Sequence, residues 1–338
     1  MIQAQATNPV WLHFRLPAAF MLLLACAFGS LFFGQAPLQS GEVIAGLFGS
    51  ADIALTTIVQ ELRLPRVLIG LCAGASLGLS GAALQGLLRN PLADPGIIGV
   101  SASAGLGAVT AIYLGLSAMW IYAIPVMAMG TSFIAIVMLF ALASRDGRVL
   151  TLILSGIGIS SLATGCISLV MNFAPTPMSL RDMVFWLLGS LENRTTEDLM
   201  MMLPFVLVGW ALLATVGQGL NALALGEDAA HSLGVKINRM RWTIVLGTAL
   251  CVGASVAVCG SIAFIGLVVP HIMRAIFGSE PRNILLPSAI GGAILLTLAD
   301  IATRLPLGHT QLRLGVLTAF IGAPVFLYII YRARETIR

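Results

Sequence analysis

The chain consists of long apolar runs separated by short polar stretches, and this pattern leaves few folds open to it. Only 9% of its 338 residues are charged, whereas soluble domains carry about 25%. Because such a small number of charged side chains cannot cover a surface that faces water, we expect the lipid bilayer to be the solvent. A helix crosses the hydrocarbon core with about 20 apolar residues. Long runs that meet this requirement occupy residues 16–34, 64–88, 95–115, 117–143, 149–172, 198–217, 241–263, 284–303 and 314–331.

A shorter apolar run at 262–277 contains Pro270, and we predict that it forms a tenth, partly broken span. The fold class expected is therefore an all-α polytopic membrane protein with about ten transmembrane helices. The first run resembles a signal peptide, but it has no clean small-residue cleavage site and further spans follow, so we interpret it as a span. Ten crossings place both termini on one side of the membrane.

The basic residues between the spans predict the orientation, because cytoplasmic loops carry an excess of Lys and Arg. With both termini inside, twelve basic residues lie at inner ends and six at outer ends. The inner residues are Arg15, Arg89, Arg145, Arg148, Lys236, Arg239, Arg241, Arg274, Arg282, Arg332, Arg334 and Arg338. The outer residues are Arg63, Arg66, Arg181, Arg194, Arg304 and Arg313. This difference predicts a cytoplasmic N-terminus (1–15) and C-terminus (332–338).

Two segments of the sequence resemble each other. "LCAGASLGLSG" (71–81) and "LCVGASVAVCG" (250–260) match at six of eleven positions, at an offset of 179 residues, and Pro91 and Pro270 keep that offset. With ten spans the first copy runs inward and the second outward, which is the inverted repeat found in many transporters. The alternative is that helices rich in small residues look alike by chance.

The sequence contains no recognisable catalytic site. It lacks a GxxxxGK[ST] phosphate loop and an HExxH motif, and its five cysteines lie in apolar runs without a CxxC pair. Seventeen of the 18 basic residues are Arg, and no polybasic tract indicates nucleic-acid binding. Asp300 lies one helical turn from Arg304, and we interpret the two as a structural ion pair. The spans therefore predict a conduit that something else must drive.

One polar stretch, "ALALGEDAAHSLGV" (222–235), interrupts the apolar chain on the predicted cytoplasmic side. Its Leu and Ala residues favour helix, Gly226 and Gly234 interrupt it, and Glu227 and Asp228 suit a helix N-terminus. We predict a short helix–turn–helix whose small face docks in a groove of another protein. A plain linker is the alternative, although linkers are usually rich in Ser, Gly and charge.

The motif "LGEDAAHSLGV" resembles the LGE-x-x-A-x-x-LGV coupling segment of FecCD-type permeases, the membrane subunits of type II ABC importers for iron–siderophores, haem and vitamin B12. Three further motifs follow the same family pattern: "LRLPRVLIG" with "QGLLRNPLADPGIIGVSASAG", "SIAFIGLVVPHIMRAIFG" and "RLGVLTAFIGAPVFLYII". Together they cover about residues 60–335. The resemblance implies one transmembrane permease domain over 1–338, with a cytoplasmic coupling segment within 218–240.

The resemblance also implies partners and site residues. Two ATPase subunits, which bind the ATP and Mg²⁺ so that this chain needs no cofactor, would receive the coupling segment. The coupling segment comprises Leu225, Gly226, Glu227, Asp228, Ala229, Ala230, His231, Ser232, Leu233, Gly234 and Val235. A second copy of this permease, or alternatively a sibling permease, would complete a dimer, and a periplasmic or lipid-anchored binding protein would dock on Arg63, Arg66 and Arg304. The expected path and gate residues are Val149, Leu150, Thr151, Gly156 and Gly158. The expected location is the bacterial inner membrane.

The sequence departs from the family pattern in places. The outer "ELPVG" reads "QLRLG" (311–315), and "AGPIGF" reads "CGSIAF" (259–264). The expected gate is also more apolar than is usual. The first change lies on the face expected to meet the binding protein and would alter partner choice. Interfacial anchoring of the membrane is the alternative role for the three arginines.

Two functions from different classes follow. The first is an importer subunit driven by a partner's ATP hydrolysis, with a ferric siderophore as the expected cargo and haem, a corrinoid or an oxyanion as alternatives. The second is a secondary carrier driven by protons or sodium. The coupling segment and the scarcity of charges inside the spans favour the first. A membrane enzyme is excluded because the sequence shows no nucleophile–base pair and no metal cluster.

Overall fold

The computed structural model describes residues 9–34, 36–143, 149–305 and 312–335. Over these residues the secondary structure is helical, and the expectation of an all-α fold is confirmed. Arg145 and Arg148, which the orientation argument used, lie outside the described residues, as do residues 1–8 and 336–338 of the two termini.

Sixteen α-helices occur in this part of the chain. They are α1 (Pro9–Ser30), α2 (Ser40–Leu47), α3 (Ile53–Thr57), α4 (Leu64–Leu87), α5 (Val100–Tyr113), α6 (Leu116–Met119), α7 (Ala123–Ala143), α8 (Val149–Asn172), α9 (Pro177–Leu187), α10 (Thr196–Ala214), α11 (Gly217–Ala224), α12 (Glu227–Ser232), α13 (Ile237–Cys259), α14 (Ile265–Phe277), α15 (Pro281–Thr303) and α16 (Leu314–Glu335). A π-helical turn (Ile58–Arg63) joins α3 to α4, and a 3₁₀ turn (Pro95–Ile98) precedes α5.

Among the described residues, six helices are long and apolar enough to cross a membrane, and four shorter apolar helices accompany them. The long ones are Ile53–Leu87, α7, α8, α10, α13 and α15. The shorter ones lie in α1, α5, α14 and α16. All ten correspond to the ten runs predicted from the sequence, and the chain is an integral membrane protein.

Some predicted boundaries were wrong. The second span starts at Ile53 and not at residue 64, because the π-helical turn carries the helix through Arg63 without a break. The run 117–143 is interrupted at Trp120, whose backbone is extended. The run 95–115 starts as a 3₁₀ turn, and Gly99 then adopts a left-handed φ of 86° that redirects the chain into α5.

Pro270 does not break α14, contrary to the prediction. A proline inside a helix removes one hydrogen bond and leaves the carbonyl four residues earlier without its donor. That carbonyl belongs to Gly266, and the buried amide of Gln85 donates to it at 3.4 Å and to the Leu267 carbonyl at 3.3 Å. A side chain from α4 therefore supplies the donor that the proline lacks.

The core lies around α4 and α13, the two helices that carry the similar sequences. Helices α4 and α13 pack against each other, and in addition α4 packs mainly against α15 and α14, whereas α13 packs against α10, α7 and α5. Each copy therefore packs on helices that follow the other copy, as an inverted repeat requires. Of the most apolar part of Ile53–Leu87, 83% is buried, and the same measure for α13 is 78%.

Small residues permit this packing. A Cβ atom on Gly78 would lie 2.1 Å from the Ser288 carbonyl oxygen, and one on Gly74 would lie 2.4 Å from the Gly292 carbonyl oxygen. Both distances are shorter than atoms allow, so α4 and α15 approach as closely as they do only because these positions have no side chain. Membrane helices commonly associate through such small-residue contacts.

Candidate functional site

The coupling segment Leu225–Val235 forms the predicted helix–turn–helix. Helix α11 ends at Ala224, Gly226 follows with a φ of 116°, and α12 spans Glu227–Ser232 with both acids in its first turn. Gly234 turns the chain towards α13 with a φ of 79°. These positive φ angles explain why glycine stands at the two interruptions, since other residues rarely adopt them.

The outward face of the coupling segment differs from the prediction. We expected the small residues to form the docking face, but Ala230 is fully buried and packs in the main core. The exposed side chains include large apolar ones: Leu225 is 73% and Leu233 is 65% exposed, and the exposed Glu227, Asp228 and Ser232 lie between them. The exposed surface of this segment is therefore two leucines that flank two acids, and Ala230 belongs to the core.

The segment is fixed in shape by its own hydrogen bonds and in position by the core. The amide of Val235 donates to the Ala230 carbonyl at 3.0 Å, and Ser232 Oγ donates to the Asp228 carbonyl at 3.0 Å. Ala230 packs in the main core, and helix α11, which leads into the segment, buries Leu220 and Leu223 there. Glu227, whose side chain is half exposed, lies 4.0 Å from the buried guanidinium of Arg241 on α13.

The three arginines expected to dock a binding protein make contacts within the chain. The guanidinium of Arg66 forms a bidentate pair with Asp300, whose carboxylate is almost completely buried, at 2.7 and 3.1 Å. Arg304 pairs with the same carboxylate. The predicted Asp300–Arg304 pair is confirmed, and the structure adds Arg66 to it. We call these residues, together with Arg63, the arginine cluster.

The arginine cluster also fixes the end of α1. Arg304 donates to the Ser30 and Phe33 carbonyls at 2.9 Å each, and Arg63 donates to the Leu31 and Ala36 carbonyls at 2.7 Å each. The last carbonyls of a helix have no partner within it, and here arginines from other helices supply one. Arg63 is 5% exposed, so its side chain does not face solvent. Sequence reasoning missed this role because the carbonyl partners are more than 25 residues away.

A second group of basic side chains lies near the start of α16. Arg313 pairs with Glu192 at 3.2 Å and lies 4.6 Å from the centre of the Phe185 ring. Arg181 lies over the same ring at 5.7 Å, and more than half of its side chain is exposed. The amide of Leu314 donates to the Gly189 carbonyl, which joins this group to the end of α9. Arg313 is the residue at which the sequence departs from the family pattern.

Helix α8, which carries the expected path residues, has an open face. Only 17% of its most apolar part is buried, against 83% for Ile53–Leu87. Leu150 is 64% exposed, Val149 and Thr151 are half-buried, and a Cβ on Gly158 would meet nothing within 4 Å. Gly158 and the three expected gate residues therefore lie where a path or a partner has access to them.

The expectation for Gly156 needs correcting. Its position faces the interior of the chain, where a Cβ would lie 2.1 Å from the Ile97 carbonyl oxygen. Gly156 lets α8 approach the 3₁₀ turn Pro95–Ile98 and does not line the open face. Two glycines only two residues apart point to opposite sides of a helix, and the sequence alone did not show which side was covered.

The polar loop before this 3₁₀ turn is also structural. Asp94 accepts a hydrogen bond from the Gly96 amide at 2.8 Å and so caps the turn. Burial raises the pKa of the Asp94 carboxyl, and the hydrogen bond from Gly96 opposes that shift. Gln85 donates to the Ala93 carbonyl at 3.1 Å and joins the loop to α4. No cluster of three His, Cys, Asp or Glu residues suited to a metal occurs in the described part of the chain.

Comparison with known proteins agrees with this architecture. The model of the FecCD transport family matches residues 22–332. The chain belongs to the FecCD transport family. Within that family it is 39% identical to the uncharacterized ABC transporter permease protein YvrB of Bacillus subtilis, over 95% of this chain and 87% of that one. It is 38% identical to the cobalamin import system permease protein BtuC of Halobacterium salinarum, over 85% and 76% of the two chains.

A solved structure shares the fold. It is described as a metal-chelate type ABC transporter in an inward-facing conformation, and it superposes with a TM-score of 0.83 at 31% identity. The match covers 96% of this chain and all of the other. These relatives are permeases and transporters, and the expected type II ABC importer permease fold is confirmed.

Proposed function

We propose that this chain is the membrane-spanning subunit of an ATP-driven importer and that a separate ATPase binds the coupling segment. The observation that carries this proposal is the exposed pair Leu225 and Leu233, which stands beside two acids at the polar end of the helices. Apolar side chains that remain exposed next to charges mark surfaces for a protein partner. The buried Ala230 and the short connection from α12 to α13 suit a segment that transmits movement.

The complete machine has two copies of the permease and two ATPase subunits, which bind ATP and Mg²⁺ in place of this chain. Helix α8 would form part of the dimer interface, because its open face carries Gly158, where a second helix can approach closely. The substrate would cross along this face, past Leu150, Thr151 and Gly158. The chain acts as one permease domain over 1–338 in the bacterial inner membrane, with both termini in the cytoplasm.

A substrate-binding protein would deliver cargo at the end that carries the arginine cluster. Within the cluster, Arg66 has the most exposed side chain, at 19%, while the side chains of Arg63 and Arg304 are buried beneath the surface. Arg181 and Arg313 at the start of α16 are each paired with an acid, so the net positive charge at this end comes from the arginine cluster, where three arginines accompany one carboxylate. Acidic side chains on the binding protein would complement this charge and speed the encounter.

The proposed cargo is a metal chelate, with a ferric siderophore as the first candidate and haem or a corrinoid as alternatives. A metal-chelate transporter and a cobalamin permease among the similar proteins support this class. Titration of the binding protein that copurifies with this chain tests it, with ferric siderophores, haem and cobalamin as ligands. Tight binding of none of them would contradict the proposed class.

The experiment for coupling uses the permease reconstituted in liposomes with its ATPase and binding protein. Changing Leu225→Arg and Leu233→Arg together should abolish transport and stimulated ATP hydrolysis, because two charges would replace the apolar contacts. The matched control, Leu225→Met with Leu233→Met, keeps the apolar surface and should retain most activity. Both side chains are exposed, so the folded permease should be recovered in normal yield.

Unchanged transport in the arginine variant would contradict the coupling role. The secondary carrier is then the remaining candidate, and the same liposomes distinguish it. A carrier takes up cargo when a proton or sodium gradient is imposed without ATP, whereas the importer proposed here does not.

A further inference from the structure

A large cleft lies beside the core, away from α8. Its volume is about 730 Å³, and it opens between α4, α10 and α15, with the start of α11 at its foot. Most of its lining is apolar, and Ala75, Leu79, Trp210 and Ala289 form its upper walls. Leu286, at its rim, is 56% exposed. Because these helices are membrane spans, the cleft opens sideways into the bilayer.

The foot of the cleft is polar. Gln218 and Arg282 line it there, and the stem of Arg282 lies 3.0 Å from the place that a Cβ on Gly217 would occupy. Glycine at this position therefore lets the arginine lie across the start of α11. The backbone amide of Arg282 donates to Asn221 at 2.8 Å, which fixes the first turn of α15 against α11.

The guanidinium of Arg282 forms no ion pair or hydrogen bond with the described residues. The neighbouring acid in the sequence, Glu280, is already used, because its carboxylate accepts hydrogen bonds from the side-chain amides of Asn221 and Asn283. Arg282 is exposed and keeps five N–H donors for another molecule. The cleft thus has a free cation at one end and apolar walls along the remainder.

The distance between the two parts matches an amphipathic ligand. Arg282 lies in the first turn of α15 and Ala289 lies seven residues later, which is about 10 Å along the helix at about 1.5 Å per residue. The cation is therefore at the boundary of the bilayer, at the end that carries the coupling segment, and the apolar part extends towards its middle. A free phosphate ion would bind the arginine and leave the apolar walls unfilled.

We propose that this cleft binds one anionic phospholipid. The phosphate pairs with the Arg282 guanidinium and accepts a hydrogen bond from the Gln218 amide, and one acyl chain lies against Trp210 and Ala289. Arginine binds phosphate oxygens in a bidentate manner, and anionic lipids concentrate in the cytoplasmic leaflet. The bound lipid would join α15, α10 and α11 directly beside the coupling segment.

Quenching of Trp210 fluorescence tests the proposal, since bromine on an acyl chain quenches an indole only at close range. The complete transporter is placed in nanodiscs that contain either brominated phosphatidylglycerol or brominated phosphatidylcholine. The Trp210→Phe variant measures the contribution of the other four tryptophans, which is subtracted. We expect half-maximal quenching of Trp210 at a several-fold lower fraction of phosphatidylglycerol than of phosphatidylcholine.

Two variants separate the headgroup from the acyl chain. Arg282→Gln should abolish the preference for phosphatidylglycerol, whereas the matched control Arg239→Gln, an exposed arginine at the same end and outside the cleft, should retain it. Ala289→Phe should reduce quenching by both lipids, because the ring fills the place of the acyl chain. Millimolar inorganic phosphate should not relieve the quenching.

Four results would overturn the proposal. Equal quenching by the two lipids, or a preference that survives Arg282→Gln, would show that Arg282 does not select the headgroup. Relief by inorganic phosphate would make this an anion site and not a lipid site. No quenching by either lipid would show that protein, such as a second permease copy, covers the cleft.

Discussion

Two arginine sites at opposite ends of the helix bundle differ in how their charge is met. At one end, Arg63, Arg66 and Arg304 are all bonded within the chain, to the Asp300 carboxylate, to the last carbonyl of α1 and to carbonyls just after that helix. At the other end, Arg282 is exposed and its charge has no partner among the described residues. Residue type does not distinguish the two roles. Burial and the available acceptors do.

The largest loss of stability is expected in the arginine cluster. Asp300→Ala leaves Arg66 and Arg304 without their counter-charge, and breaking a buried pair from one side costs about 3–5 kcal/mol. The free energy of unfolding, measured by denaturant titration in mild detergent, should fall by that amount. The control Asp182→Ala removes an ion pair whose side chains are more than half exposed, and it should change little. Equal losses from both variants would show that Asp300 is not the centre of a buried cluster.

The next effect lies inside the coupling segment itself. Ala230→Leu forces a larger side chain into a fully buried position, and overpacking of this kind costs about 1–3 kcal/mol. Leu233→Ala removes an exposed side chain and should leave the free energy of unfolding unchanged, while it lowers ATPase coupling. Thermal unfolding in detergent and the transport assay measure the two effects. Similar stability changes in both variants would contradict the division of this segment into a buried and an exposed face.

The smallest loss of stability is expected for the ion pair between the coupling segment and α13. Glu227 is half exposed and lies 4.0 Å from Arg241, and pairs of this kind contribute less than about 1 kcal/mol. Glu227→Gln keeps an acceptor for Arg241, so the unfolding midpoint should shift only slightly. High salt should reduce even this difference, because exposed charges are screened. A loss of stability as large as that of Asp300→Ala would show that the half-exposed pair contributes as much as the buried arginine cluster, which would contradict this comparison.

Much of the fold followed from sequence patterns of known physical cause. The ten apolar runs predicted the ten apolar helices, and the repeated "LC-x-GAS" segments, from which an inverted repeat was predicted, lie in the two core helices α4 and α13. The helix–turn–helix around Gly226 was also predicted correctly, because glycine and acid at a helix start have local effects. The Asp300–Arg304 pair was predicted for the same reason, since residues four apart share one face of a helix.

The errors arose where the outcome depended on distant residues. Pro270 does not break α14, where the Gly266 carbonyl accepts a hydrogen bond from Gln85, a residue 181 positions before Gly266. Gly156 and Gly158 have different roles because the 3₁₀ turn covers only one side of α8. The local pattern "RLPR" places two arginines near the end of a span, but it does not show that α1 ends beside them.

By itself, the sequence determined that this protein lies in a membrane, which of its segments form apolar helices, where along the chain its polar segment lies and which family it resembles. These properties depend on hydrophobicity, local helix preference and short motifs, which act over a few neighbouring residues. Only the tertiary structure decided which arginines are neutralised, which face of α12 is exposed and which helix is left open. Those outcomes depend on burial, and burial is set by segments that are far apart in the chain and meet only when it folds.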